Sequence, residues 1–267
     1  MPKVGIVIPS QDWVWKFFSI SLAEMAFNCG CAPGIGIEFV PIEWALIADA
    51  RNYGAIEALR RGCDYVLFLD YDHVLPPETL RWLLGAAMSR PDVDIIGCAH
   101  AKRIAPHEVV GNWSPELKIE PDGVYEVEQL GGGCLLVARR VFEKLGHFAF
   151  QTPVIEKFGG HCMYPEDLYF CDEARKAGFK IWMHAGLSLV IGHIGRQVVY
   201  VGGPRRWEAA SGTQDASIEE LTIAQRDGDQ ALIVDGLANL NSAMRIRAEA
   251  RERELRRSGA TAQQQGA

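Results

Sequence analysis

The chain has 267 residues, 48% of them hydrophobic and 23% charged, with a formal charge of -7. That is an ordinary globular composition, long enough to bury a sizeable core, and it excludes a mini-protein, a disordered chain and the basic surface that nonspecific nucleic-acid binding requires. No apolar run approaches the roughly 18 to 20 uncharged residues that cross a bilayer, and Met1-Pro2-Lys3-Val4 leads into a strand-like run without a cleavage site, so the sequence reads as a cytoplasmic protein.

In chain order, residues 4–8 form a continuous apolar run stopped by Pro9-Ser10. Residues 17–28 read as a helix and 35–40 as a second β-rich run, which together make a βαβ opening. Residues 45–61 carry small and apolar side chains at helical spacing, and 64–69 are too short for a helix and bounded by acidic residues. Pro76-Pro77-Glu78 is a suitable start for a helix over 79–89, followed by a strand at 93–97. Residues 108–128 mix polar residues with short β-like pieces. The glycines at 131–133 open another strand through Val137, before a helix over 140–145, a helix from Glu166 to the Gly178 stop, and a strand at 179–183. The alternation predicts an α/β fold, a mostly parallel Rossmann-like sheet flanked by helices, over residues 1–202. Residues 203–257 read as a C-terminal helical appendage, helical over 217–226 and 229–257, with 258–267 a polar, disordered tail. In the appendage Ile233, Leu237, Leu240 and Met244 share one helical stripe. The stripe needs a partner, and a charged outer face favours self-association, hence a homo-oligomer. The seven cysteines, Cys29, Cys31, Cys63, Cys98, Cys134, Cys162 and Cys171, are scattered and lack ribbon or C-x-x-C spacing, so they read as reduced structural thiols.

Three features carry chemistry. Val66-Leu67-Phe68-Leu69-Asp70-Tyr71-Asp72 is a buried strand ending in carboxylates at i and i+2. Its carboxyl end delivers both to the crevice where open α/β sheets bind ligands, and two hard oxygens there suit Mn²⁺ or Mg²⁺ shared with a diphosphate. Glu166-Asp167 opens a helix, where carboxylates complement the dipole; beside a metal-diphosphate site the pair is also a candidate general base for an acceptor hydroxyl. His193 follows the apolar run 189–191, taken as a strand, and is flanked by Gly192 and Gly195. Small neighbours there admit a bulky substrate, and imidazole is an acceptable ligand for Mn²⁺. His73, His161 and His184 read as structural.

Val7-Ile8-Pro9-Ser10, Ala50-Arg51-Asn52, Phe68-Leu69-Asp70-Tyr71-Asp72, Gly131-Gly132-Gly133 with the following 135–142, Glu166-Asp167-Leu168-Tyr169-Phe170-Cys171 and Gly192-His193 occur in that order. The set resembles the GT-A glycosyltransferases of the family 2 type, closest in flavour to the small soluble bacterial and phage-type members, over about residues 3–200. The resemblance implies a nucleoside-diphosphate-sugar donor lying against Pro9, Ser10 and Arg51. It places Asp70 and Tyr71 at the donor, Asp70 and Asp72 at the metal, and His193 as a further metal ligand. Gly132 and Gly133 would allow close approach of donor sugar or acceptor, and Asp167, with Glu166 beside it, would activate the acceptor hydroxyl. The Gln-x-x-Arg-Trp motif of processive members is absent, although Arg205-Arg206-Trp207 lies near where it would be sought. Two other readings stay open: a nucleotide- or carbohydrate-binding subunit without turnover, and a nucleotidyltransferase, for which Ser10-Gln11-Asp12-Trp13 offers no glycine-rich phosphate loop.

Overall fold

A computed structural model describes residues 1–10, 13–30, 34–42, 46–104, 106–157, 160–195, 198–201, 203–204, 230 and 233–253. In chain order the elements are β1 (Lys3–Pro9), α1 (Lys16–Gly30), β2 (Gly36–Ile42), α2 (Ile47–Arg60), β3 (Tyr65–Leu69), β4 (His73–Val74), α3 (Thr79–Ser89), β5 (Ile95–Gly97), β6 (His100–Ala101), β7 (Val109–Val110) and β8 (Val124–Val127). There follow β9 (Cys134–Ala138), α4 (Arg139–Leu145), β10 (Val154–Lys157), β11 (Gly160–Met163), α5 (Glu166–Lys176), β12 (Ile181–His184), α6 (Ala185–Val190), β13 (Gly192–Ile194), β14 (Val198–Tyr200) and β15 (Gly203–Pro204). Residues 233–253 form a C-terminal helix.

The main sheet has seven strands in the order β2-β1-β3-β9-β5-β12-β8. The pairs β1–β2, β1–β3 and β5–β12 are parallel, while β9 runs antiparallel between β3 and β5, and β8 antiparallel beside β12. The expected α/β class with a mostly parallel, helix-flanked sheet is what forms. The strands β1, β3 and β9 read as unbroken apolar runs because both faces are covered. One face packs Val7, Phe68, Leu135 and Val137 against Phe150 and Phe170. The other packs Ile6, Leu67, Leu69 and Leu136 against Phe18, Met25, Leu80 and Leu83 from α1 and α3. Helix α5 starts after Pro165, carries Glu166 and Asp167 in its first turn and Arg175 and Lys176 in its last, and stops at Gly178 with φ 94°. Its charges complement the helix dipole at both ends.

Several expectations change. Residues 189–191 are not a strand: 189 and 190 end α6, whose first turn is capped by the ring of His184 accepting from the Leu187 N–H at 3.1 Å, and Ile191 is extended but a paired strand begins only at Gly192. The strand at the glycines begins at Cys134, because Gly131 to Gly133 form a turn around neighbouring side chains. The stripe on the C-terminal helix is covered by its own chain, which corrects the favoured self-association. Leu240 and Met244 are buried in the same core as Val7 and Phe68, with Ile233 and Leu237 packed against it. Asn241 exchanges hydrogen bonds with the backbone of Ile119 (2.7 and 2.9 Å), and Arg247 donates to the carbonyls of Val109 and Gly111. The six described cysteines are free thiols, five of them buried. Cys31, residues 205–207, the helix expected over 217–226 and the tail 258–267 lie outside the described residues. Among the described residues no helix is long and apolar enough to cross a membrane.

Candidate functional site

At the carboxyl end of β3 the ladder with β9 continues one step beyond Leu69, the Asp70 N–H donating to Gly133 O at 2.9 Å. The chain then turns through Asp70-Tyr71-Asp72 into β4, which pairs antiparallel with β13 so that His73 lies opposite His193 and Val74 opposite Gly192. The Ile194 N–H donates to Asp72 O at 2.7 Å. A second, four-stranded sheet, β15-β14-β13-β4, thereby carries His193 to Asp72. Tyr71 packs edge-on against Trp13, ring centroids 5.5 Å apart, and Pro9 and Ser10 end β1 at the same edge of the sheet.

Asp72 is buried. Its Oδ2 accepts from Arg103 Nη1 at 2.8 Å and lies 3.4 Å from His193 Nε2, while its Oδ1 lies 3.5 Å from His73 Nδ1. Burial pushes the Asp72 carboxyl up, but the imidazoles of His193 and His73 outweigh it and hold the group well below the usual carboxylate range. His193 Nδ1 lies 2.8 Å from Ala101 O. A carbonyl can only accept, so Nδ1 carries a proton and Nε2 is the nitrogen turned to the Asp72 carboxylate.

A cation between Nε2 and Oδ2 would take a lone pair from each, with the Nδ1 proton kept on Ala101 O. Their 3.4 Å separation is a few tenths of an ångström wider than the roughly 3.0 Å between neighbouring ligands of an octahedral ion with bonds of about 2.1 Å, so a small shift brings both onto one ion. The ligand atoms of Asp70, Asp72 and His73 lie within 4.8 Å of one another, as do those of His73, His100 and His193. Asp72 is the residue that links the carboxylates to His193. The rings of His73 and His193 stack at 4.6 Å with planes 11° apart. In-plane lone pairs of parallel rings cannot converge, so the two do not share one ion in this geometry. His193 is the better fit, with its Nδ1 proton held by Ala101; among the described residues both ring nitrogens of the fully buried His73 are without a hydrogen-bond partner, as is Nδ1 of His100.

The acidic arrangement continues away from Asp72. Arg51, on α2, is buried at 2% exposure and its guanidinium is held by Asp70 Oδ1 at 2.9 Å and by Glu166. Burial works against its charge, but Asp70, Glu166 and Asp167 outweigh it. The Glu166 carboxyl is pushed up by burial despite Arg51, with Asp167 adding to the rise. Asp167 accepts from the backbone N–H of Gly132 at 3.0 Å and from that of Leu168 at 2.8 Å, which fixes both oxygens over the glycine turn.

The glycines make room as expected, but for this chain's own side chains. A Cβ at Gly131 would lie 2.6 Å from His100 Cε1, at Gly132 2.4 Å from Arg51 Cζ, and at Gly133 2.4 Å from His73 Cε1. Close approach by donor or acceptor is therefore not what these three glycines provide in this arrangement.

Three members of the cluster were missed or set aside at the level of sequence. His73, read from the sequence as structural, stacks on His193 and lies 3.5 Å from the other carboxylate oxygen of Asp72. Buried His100 meets the rings of His73 and His193 edge-on at 4.8 and 5.2 Å, and burial, with those two imidazoles adding to it, holds it well below the usual histidine range. It follows β5, so the strand-end rule that found Asp70 would also have found it. Arg103 carries no local signal. His184 caps α6, and His161 lies exposed on β11.

No protein-family model matches the chain, and no curated protein matches it in sequence. Among solved structures it is similar to A197 from STIV, with a TM-score of 0.52 and 16% identity over 75% of this chain and 90% of that one. Two structures of Drosophila beta-1,4-galactosyltransferase 7 also match. A mutant with manganese, UDP-Gal and xylobiose has a TM-score of 0.43 and 15% identity over 83% of this chain and 79% of that one. The catalytic domain with xylobiose has a TM-score of 0.43 and 14% identity over 84% and 80%. Scores that low carry no argument about activity. The likeness to A197 is one of fold alone, an α/β sheet flanked by helices, which here carries the acidic cluster at the carboxyl edge of its central strands.

Proposed function

We propose that the protein is a metal-dependent glycosyltransferase that moves a sugar from a nucleoside-diphosphate sugar to an acceptor hydroxyl. The observation that carries this reading is one connected set of charged side chains at the sheet's carboxyl edge. It runs from His193 and Asp72, through Asp70 and Arg51, to Glu166 and Asp167. One end has the donor set of a divalent cation site, Asp72 with His193 and Asp70 beside them; Mn²⁺ suits the mixed oxygen and imidazole ligands better than Mg²⁺. When bound, the cation supplies Lewis-acid stabilisation of the charge that grows on the departing diphosphate. The other end supplies a base: Asp167, its oxygens fixed by two backbone N–H groups, takes the acceptor proton as the hydroxyl attacks. Arg51 keeps the intervening carboxylates apart from each other's charge and so holds the two ends in register. Pro9, Ser10 and Tyr71 border the same edge and line the donor side.

Thermal shift and calorimetry with UDP, GDP, CDP and ADP, each with Mn²⁺ and with excess chelator, test the reading. One of these nucleotides is expected to bind in Mn²⁺ and to lose that binding in chelator or in Asp72→Asn; a ligand at 100 times its Kd stabilises the fold by about 2.7 kcal/mol. Equal affinity with chelator overturns the metal site. Metal-dependent binding with no hydrolysis or transfer from any nucleotide sugar favours the non-catalytic binding subunit instead.

A further inference from the structure

The cation already at Asp72 belongs to the protein. Arg103 Nη1 donates at 2.8 Å to Asp72 Oδ2, the same oxygen that faces His193 Nε2 at 3.4 Å. The two partners differ in their freedom: the Arg103 side chain is 50% exposed and that of Asp72 is 11% exposed. The backbone leading into Arg103 is anchored. Ala101, two residues before it, lies in β6 and holds His193 through its carbonyl. Lys102 is tied to Glu108 by a backbone bond of 2.9 Å and an ion pair of 2.6 Å, and its carbonyl meets the ring of His107, a residue in the left-handed region at φ 56°. Ile104, next along, is exposed. Arg103 is thus a free charged head on a pinned stem. Arg51, the other guanidinium of the cluster, is the opposite: buried and held by two carboxylates.

We infer that Arg103 is a donor-phosphate residue that occupies Asp72 only until a divalent cation arrives, and then turns its guanidinium to the diphosphate of the donor. The inference rests on the transferase reading above and deepens it by naming a further binding residue and a competition at the same site. A guanidinium and a divalent ion cannot both sit on Asp72 Oδ2 without like charges in contact, so the ion displaces the arginine. Once released, the head keeps its five donors in a planar fork that matches phosphate oxygens. Its stem leaves it beside the cation site, which is where a diphosphate shared with that cation lies. Arg103 therefore acts against the metal when no nucleotide is present and in favour of the nucleotide when the metal is bound.

That opposition of sign is what the experiment reads. Mn²⁺ binding to the full chain is followed by the loss of the free-ion electron paramagnetic resonance signal, for wild type, Arg103→Gln and Asp72→Asn. Binding of UDP, GDP, CDP and ADP at saturating Mn²⁺ is then measured by calorimetry. Arg103→Gln is expected to bind Mn²⁺ alone about tenfold more tightly than wild type and the preferred nucleotide about tenfold more weakly, the scale of one hydrogen bond to a charged group. Asp72→Asn is expected to lose Mn²⁺ binding. If the two affinities of Arg103→Gln do not move in opposite directions while Asp72→Asn still loses the metal, the role of Arg103 is overturned and the transferase reading stands. If wild type and Asp72→Asn take up Mn²⁺ alike, or neither takes it up, the metal-site reading falls and the role of Arg103 with it.

Discussion

Asp167 is the side chain whose chemistry is most constrained by its immediate contacts. The N–H groups of Gly132 and Leu168 hold one oxygen each, so the carboxylate cannot rotate away from the turn in front of β9. Its neighbour Glu166 is spent on Arg51, and burial pushes the Glu166 carboxyl up, so of the pair Asp167 is the candidate base in the proposed transfer. Asp167→Asn keeps the shape and one acceptor oxygen but removes the basic group. It is expected to lower sugar transfer by about 10²-fold or more, the usual scale for a general base, while leaving Mn²⁺-dependent nucleotide binding nearly intact. Transfer rates compared with calorimetric nucleotide affinities check this; a loss of affinity with unchanged turnover assigns Asp167 to ground-state binding instead.

At the scale of elements, the seating of α2 on β1 decides where Arg51 lies. Gly54 faces Val7 of the central strand, and a Cβ there would lie 2.2 Å from Val7 Cγ1; Gly5 of β1 lies against Ala58 in the same way, at 2.6 Å. Both contacts are backbone held against fully buried neighbours, so an added methyl must push the helix off the sheet. Gly54 and Arg51 are one helical turn apart on the buried face of α2, and lifting the helix therefore draws Arg51 from Asp70 and Glu166. Gly54→Ala is expected to cost about 1–3 kcal/mol in urea denaturation and to weaken the ion pairs at the site. Gly85, in α3, is the control, because a Cβ there meets nothing within 4 Å. Gly85→Ala is expected to be neutral or to stabilise by up to about 1 kcal/mol. Equal effects at the two glycines would show that the close approach of α2 to β1 is not what positions Arg51.

Across the whole molecule, the C-terminal helix is a brace on the main sheet and the segments beside it. Leu240 is fully buried and shares a core with residues of β1, β3 and α5. Asn239 donates to Val201 O and Asn241 pairs with Ile119, which ties the helix to two segments beyond the main sheet. Arg247 reaches the carbonyls of Val109 and Gly111, at and beside β7, and β7 pairs with the strand carrying His100. Leu240→Ala is expected to destabilise the fold by about 2–5 kcal/mol, as loss of a buried leucine does. Light scattering is expected to return the same number of subunits for variant and wild type. A drop in subunit number with little change in stability would return the stripe to an interface between copies.

What the sequence determined by itself is what short-range periodicity encodes. The apolar run 66–69 followed by Asp70 and Asp72 announces a buried strand with its carboxylates at the ligand-binding edge, and Pro165-Glu166-Asp167 announces a helix start with acidic residues in its first turn. The stripe on the C-terminal helix was equally legible as a stripe, since its 3.6-residue period is local. The sequence did not name what covers it, because any apolar face would satisfy the same pattern. Only tertiary structure decided which distant residues meet. His193 reaches Asp72 because two short strands, β4 and β13, pair in one register, and a two-residue strand has no readable period. His73, His100 and Arg103 join the cluster through the same sheet edges. The three glycines before β9 advertise space in the sequence, and it is the packing of Arg51, His73 and His100 into that space that fills it, for a local pattern records room without recording its occupant.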